Sequence, residues 1–286
     1  YNAEFGEFTY KIKVRAPDKY IVYGVGDKKK EDSTWFVESN KPMSDLVITV
    51  SKHVKVQSSN ISETAFEFSY MSLSDTTAQI IINDMVRCLD FYTNWFGKTD
   101  QQSLTLIESA REMGGGYARK GVIVLGGLND AALITNHEAY VRYFAHEAAH
   151  LWWHNASTTT WEDWLNESFA EFSALLVIRE LFGEDSYQKR LLRKIESSAN
   201  AEIIWGFNRS DISSEEKRTA TENALYAKGP VILDRLNSLI SKEKFLPICQ
   251  RMIEEKIDST VQMLVIIKEV ISPKIAQWLE NQLRTF

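Results

Sequence analysis

The stretch HEAAHLWWHN, residues 146–155, constrains this chain more than any other. It holds three of the five histidines, and His146 and His150 stand four positions apart. On an α-helix four residues turn through about 400°, so both imidazoles leave nearly the same face, one turn apart. That spacing lets two ring nitrogens reach one Zn2+ at roughly 2.0–2.1 Å. Glu147 cannot comfortably share the ion but borders the open coordination position, where a carboxylate can take a proton from a water. The plainer reading is a pair of hydrogen-bonded core histidines.

A second stretch, WEDWLNESFAEF (161–172), weighs toward the metal. Glu167 stands seventeen positions beyond His150, and Glu171 follows one turn later on the same face. A catalytic zinc site needs three protein ligands and an open position, and Glu167 is the candidate third. Two antiparallel helices would bring it opposite the histidines. Glu171 can accept the second ring N–H of a ligand histidine and fix its tautomer. Asn166 is grouped with it as a supporting residue. The alternative for Glu167 is a first-turn carboxylate favoured by the helix dipole.

Around these stretches the pattern implies an α+β fold. Residues 1–73 read as antiparallel β-structure: FTYKIKVRAP alternates Phe8, Tyr10, Ile12 and Val14 with polar residues, the period of a half-buried strand. Five further short runs follow, ending at AFEFSY. From residue 74 the pattern changes to a helix closing at Gly97, then to two apolar runs at 104–109 and 121–127 joined by a Gly-rich connection. Thr135 with Glu138, and Thr159 with Glu162, suggest capping boxes opening the two site helices, the second ending at Gly183. From about 186 to 286 the chain reads as a helical lobe. Domains 1–73 and 74–286 are therefore expected.

With 44% hydrophobic residues over 286, a large core is available. A net charge of −6 argues against nucleic acid as a partner. The one basic run, Lys28–Lys30, is followed by acids and reads as a solvated turn. Cys88 and Cys249 each sit in an apolar helical pattern, as buried free thiols do. No apolar run approaches the roughly 18 residues of a membrane span. A start at Tyr1 is expected of a mature product or a cut piece, so the compartment stays open, a cytoplasmic one being slightly favoured; additional domains in the full-length protein are possible.

The two stretches together resemble the aminopeptidase-N-like zinc metallopeptidases of the thermolysin superfamily, whose signature is H-E-x-x-H followed by W-L-N-E-G-F-A. A second match is LYAKGPVILDRL, 225–236, where the family's Tyr-x-Lys-Gly carries a tyrosine that hydrogen-bonds the substrate carbonyl. The resemblance implies that role for Tyr226, and Gly229-Pro230 reads as a helix start that leaves Tyr226 just outside a helix end. It covers about residues 75–286 and more loosely the β-region, which looks like the tail of an N-terminal β domain. It implies a thermolysin-like catalytic domain, one Zn2+ per chain, a peptide substrate, and peptide-bond hydrolysis of aminopeptidase type on short peptides. The alternatives are an endopeptidase or a non-catalytic zinc-containing peptide-binding module.

Three departures stand out. Sixteen residues separate His150 from Glu167, fewer than is usual in the family, the shortfall lying in the loop. His154 replaces the usual Gly and is expected to line the cleft or be solvated, or else to be a fourth metal neighbour. At GGGYARKG, 114–121, the family's G-x-M-E-N stretch supplies a Glu for the substrate amine, whereas this chain has Ala118 and Arg119. The backbone of Gly114, Gly115, Gly116 and Tyr117 can still pair with an extended peptide. Glu108 and Glu112 are possible replacements for the amine anchor, or simply surface acids.

Overall fold

In the computed structural model, which describes residues 7–43, 46–61, 64–99, 103–111, 115–211 and 213–285, the period-two stretch forms β1 (Phe8–Arg15) with alternate positions half-buried and exposed. β2 (Ile21–Gly24), β3 (Asp27–Glu31), β4 (Thr34–Met43) and β5 (Ile48–Ser51) follow. They make an antiparallel sheet in the order β1-β4-β3 and a separate β2-β5 ladder. The lysine run is strand β3, not a turn. All five of its residues are exposed, so no hydrophobic period betrays it. Backbone pairing to β4 holds it, and Lys28 and Lys30 lie over the Tyr23 and Trp35 rings at 4.4 and 5.5 Å. A lysine-covered edge also resists pairing with another chain.

β6 (Lys55–Ile61), β7 (Thr64–Tyr70), α1 (Asp75–Phe96), β8 (Ser103–Glu108), β9 (Gly115–Arg119) and β10 (Val122–Gly126) come next. They build a mixed five-stranded sheet ordered β6-β7-β8-β10-β9, with β7, β8 and β10 parallel and the outer two strands antiparallel. Helix α1 is the crossover that a parallel β7–β8 pair requires. β8 and β10 are buried almost throughout, which is why they read as unbroken apolar runs. The Gly-rich connection is in part strand β9, on the sheet edge. Residue 74 falls between β7 and α1, and β6 and β7 before it share the sheet with β8 after it.

Glu108, at the end of β8, is not a surface acid. It is buried and accepts Met71 N at 2.5 Å, Ser72 N at 3.1 Å and the Ser72 hydroxyl. Its acceptor capacity closes the turn after β7, which leaves little for a substrate amine.

The remaining elements are α2 (Asp130–Thr135), α3 (His137–Ala149), α4 (Trp164–Phe182), α5 (Glu184–Ser198), α6 (Glu215–Thr221), α7 (Gly229–Ile240), α8 (Lys242–Glu254), α9 (Thr260–Val270) and α10 (Pro273–Thr285). The expectation of continuous helix after Ser186 fails between α5 and α6, where residues 199–211 and 213–214 form turns and irregular chain. The described residues divide into two compact units, one within 7–87 and 103–140 and the other within 88–99 and 141–285. Cys88 and Cys249 are buried, and neither is in a disulfide. Among the described residues no helix is long and apolar enough to cross a membrane.

Candidate metal centre

Helix α3 does not begin with the Thr135–Glu138 box. Asn129 caps α2 instead, accepting Ala132 N at 3.0 Å, and Thr135 is the last residue of that helix, its hydroxyl donating to Ala131 O at 3.0 Å. A threonine with a carbonyl one turn behind it uses its hydroxyl locally. The chain breaks at Asn136, whose carbonyl accepts Ala139 N and Tyr140 N to open α3.

Aromatic residues fix where α3 ends. Tyr92 donates its hydroxyl to Ala145 O at 2.8 Å, next to His146. Trp152 Nε1 donates to Gly97 O at 3.0 Å, and Trp153 Nε1 to Ser173 Oγ at 3.1 Å. Trp153 also packs on Phe169, ring centroids 4.5 Å apart. His150 lies just past the regular helix, its N–H turning back to Glu147 O at 3.3 Å.

Helix α4 is buried on every side from Trp164 to Ile178 except at Glu167, so packing rather than capping sets its place. It opens through a 3-10 turn, Trp161–Asp163, and not at the Thr159–Glu162 box. Glu162 is drawn away by Thr260, accepting its N–H at 2.8 Å and its hydroxyl at 2.6 Å. Asn166 pins the intervening loop. Its amide donates to Ala156 O at 2.9 Å and Asp163 Oδ1 at 3.0 Å, and its oxygen accepts Ala156 N at 3.2 Å. It therefore supports the loop rather than a ligand side chain.

The two helices bring His146, His150 and Glu167 together as a group that could hold a metal. Their donor atoms form a nearly equilateral triangle: His146 Nε2 to His150 Nε2 is 3.3 Å, His146 Nε2 to Glu167 Oε2 is 3.3 Å, and His150 Nε2 to Glu167 Oε2 is 3.5 Å. A tetrahedron with bonds of roughly 2.0–2.1 Å has edges of about 3.3–3.4 Å, so this triangle is one face of it. Glu167 Oε2 is buried with no hydrogen-bond partner. An orphaned buried carboxylate oxygen facing two ring nitrogens is what a cation resolves.

Both rings are oriented from behind. His150 Nδ1 lies 3.0 Å from Trp153 O, which selects the tautomer with Nε2 unprotonated. His146 Nδ1 lies 2.9 Å from Glu171 Oε2, an ion-pair distance at an angle poor for a straight hydrogen bond. Burial opposes charge on His146, yet Glu167 and Glu171 raise it to about 10, so without a metal a proton takes the cation's place. Burial acts against Glu167 as a charged group too, but the two histidines hold it well below the usual carboxylate range. Glu147 is buried beside them, and desolvation pushes its carboxyl up.

Tyr226 is not outside a helix. It sits in a π-helical turn, Glu222–Lys228, running from α6 into α7. Pro230 explains the widened turn. It has no N–H for the carbonyls of Tyr226 and Leu225, four and five residues back. Side chains supply what is missing: Ser168 Oγ donates to Leu225 O at 2.6 Å and Lys194 Nζ to Tyr226 O at 2.7 Å. The Tyr226 ring stacks on His146, centroids 5.6 Å apart at 29°. Burial, then the Glu167 charge, drive its hydroxyl well above the tyrosine range, so it stays protonated and can donate.

The other predicted residues divide. Gly114 and Glu112 lie outside the described residues. Gly115, Gly116 and Tyr117 are on edge strand β9, opposite Gly126, Leu125 and Val124. Ala118 is buried, and Arg119 Nη1 folds back to Ala118 O at 2.8 Å. His154 is exposed and outside the metal group, with Nδ1 2.9 Å from His150 O.

Sequence reasoning missed the cations. Arg142 Nη1 is 2.7 Å from both oxygens of Glu171, and Lys194 Nζ is 2.6 Å from Oε1. Arg142 continues the four-residue spacing of His146 and His150, a usable signal, whereas Lys194 lies on an amphipathic helix and carries none. Arg209 Nε pairs with fully buried Asp163 at 2.7 Å, also unforeseen.

Comparison with known proteins gives the family. Residues 118–280 match the model of the peptidase family M1 domain. Aminopeptidase N of Haemonchus contortus is 31% identical over 117 residues, 38% of this chain and 12% of that protein. Endoplasmic reticulum aminopeptidase 2 of Bos taurus is 29% identical over 181 residues, 56% of this chain and 18% of that protein. This chain thus spans less than a quarter of these relatives' lengths. The crystal structure of an M1 zinc metallopeptidase from Deinococcus radiodurans superposes with a TM-score of 0.74 at 15% identity, covering 97% of this chain and 64% of that one. The chain belongs to peptidase family M1.

Proposed function

We propose that this chain is the catalytic part of a zinc-dependent peptidase that hydrolyses peptide bonds with an activated water, of aminopeptidase type on short peptides. The observation that carries the reading is the triangle of His146, His150 and Glu167 donor atoms, one corner of it an orphaned carboxylate oxygen. These three residues would hold Zn2+, which when bound acidifies a water and polarises the scissile carbonyl.

The chain's own residues do the rest. Glu147 takes the proton of the attacking water on its carboxylate and hands it to the leaving amine. Its desolvation, which raises its affinity for a proton, suits both halves of that task. Tyr226 donates its hydroxyl to the oxyanion as it develops, a contribution of typically about 3 kcal/mol to the barrier. Glu171 and the Trp153 carbonyl keep the two imidazoles aimed. No side-chain nucleophile is involved, so no acyl-enzyme forms. We read residues 74–286 as the catalytic domain, with 186–286 its helical lobe, and 1–73 as the remnant of an N-terminal β domain.

Glu147→Gln tests the assignment. Zinc content should match the unaltered chain while turnover falls by about 10²–10⁴-fold. Retained turnover would remove Glu147 from its role, and an unaltered chain that binds zinc but cleaves no peptide would favour a binding module.

An endopeptidase is the second reading, favoured by one observation. Strand β9 carries Ala118 and Arg119 in place of an amine-binding carboxylate, and Glu108 is engaged at a turn. Paired free and N-acetylated peptides decide between the two. Aminopeptidase action predicts cleavage of the free form alone, and equal cleavage of both establishes the endopeptidase.

A further inference from the structure

Glu171 has more cations than it needs. Arg142 Nη1 already lies 2.7 Å from both of its oxygens. Yet Lys194, from α5, adds an ammonium 2.6 Å from Oε1. Burying an ammonium costs free energy unless its donors are used, and desolvation here pushes Lys194 below the usual lysine value. Neutrality alone does not account for it.

Its second contact does. The same Nζ donates to the carbonyl of Tyr226 at 2.7 Å, an acceptor that Pro230 leaves open. The other oxygen of Glu171 stands 2.9 Å from His146 Nδ1. One ammonium therefore touches both the backbone that carries the Tyr226 hydroxyl and the carboxylate that orients His146. We propose that Lys194 is a positioning residue that holds Tyr226 and His146 in one mutual register.

The proposal rests on the peptidase reading for its consequences. A donor to the oxyanion works only within a narrow geometry, and displacements of about 1 Å cost on the order of 10²-fold. The His146 and Tyr226 rings stack, and each is also held from behind. For His146 that is Glu171, and for Tyr226 it is its own turn, where Lys194 supplies the bond that the helix cannot. Ser168 meets the same need at Leu225 but touches no group of the metal centre in hydrogen-bonding range. Lys194 joins the two from behind, through the Tyr226 carbonyl and the Glu171 carboxylate.

The test uses the zinc-loaded chain. Lys194→Met keeps the length of the stem and removes both bonds. The expected result is a kcat on a short free-amine peptide lower by about 10–100-fold, KM within about twofold, and a zinc Kd, measured by chelator competition, raised several-fold. In a Tyr226→Phe background the same change should cost less than about threefold, because its object is gone. Lys194→Arg, which restores donors, should recover most of kcat. Unchanged kcat and zinc affinity in Lys194→Met would overturn the proposal, as would a loss undiminished in the Tyr226→Phe background. Lys194→Gln, read out identically, replaces a Met variant whose circular dichroism shows it unfolded. Cleavage by the unaltered chain is measured first. Its absence sinks the peptidase reading, and the zinc Kd of Lys194→Met then still decides this one.

Discussion

The α3–α4 pair and the β1–β4–β3 sheet both carry many charges, and they use them in opposite ways. Around Glu171, at 1% side-chain exposure, three basic groups stand within 3 Å: His146, Arg142 and Lys194. In the sheet, Lys29 and Glu31 pair at 2.7 Å with exposures of 74% and 53%. The distances are alike and the surroundings are not. A charge in water is screened and mobile, so a partner adds little to it. A charge out of water must have its partner, and removing that partner exposes the whole cost of burial. The contrast implies that distance alone does not rank these interactions.

The largest effect should come from Glu171→Gln, which keeps the shape and removes the countercharge of two cations. Breaking one side of a buried pair typically costs 3–5 kcal/mol, and the 32% exposure of Arg142 places this case near the low end, about 3 kcal/mol. Urea unfolding measures it. The same variant should weaken zinc binding by about 10–100-fold, since the ring it orients is a candidate ligand. A variant as stable as the unaltered chain would break the comparison at its buried end.

How much of this was open to reading follows the same division. The His146–His150 spacing and the Glu167–Glu171 repeat depend on helix geometry alone, so the candidate metal centre could be assembled from sequence. The strands with period two, and the apolar β8 and β10, were equally plain. What escaped depends on contacts between distant segments. Lys194 reaches Glu171 across 23 positions, and on its own helix it looks like any solvent-facing lysine. Thr135 fits a capping box in sequence, but Asn129 had already started a helix that ends there. Tyr226 looked like a residue before a helix because Pro230 opens helices so often. Here Ser168 and Lys194 supply the missing bonds, and the turn widens instead of stopping. Strand β3 was hidden because every one of its side chains is exposed.

Gly229 sharpens the comparison from the packing side. Its φ is −57°, ordinary for a helix, and an exposed helical Gly→Ala change usually stabilises by about 1 kcal/mol. At this position a Cβ would meet Ser168 Oγ at 1.9 Å and Ser168 Cβ at 2.5 Å. The motif quoted for the family has Gly at the position of Ser168, so the close approach belongs to this chain's own side chain. Gly229→Ala should therefore destabilise by roughly 1–3 kcal/mol, as overpacking does. It should also lower turnover by displacing the turn of Tyr226. Ser168→Gly in the same chain should recover the stability. A stabilised single variant would mean that helix propensity wins and that the interior yields more readily than its burial suggests.

The smallest effect is expected at Lys29. Its ammonium holds Glu31 at 2.7 Å, shorter than the 2.9 Å between His146 and Glu171, so a ranking by distance would call it the stronger pair. Exposure argues otherwise. Both side chains are solvated, each loses rotamer freedom to keep the contact, and salt screens what remains. The strand itself is held by backbone bonds to β4, which an alanine leaves in place. Lys29→Ala should leave the melting temperature unchanged within measurement error, at low salt and at high. A clear drop that disappears as salt is raised would show that the exposed pair contributes after all, and that burial is not what separates the two regions.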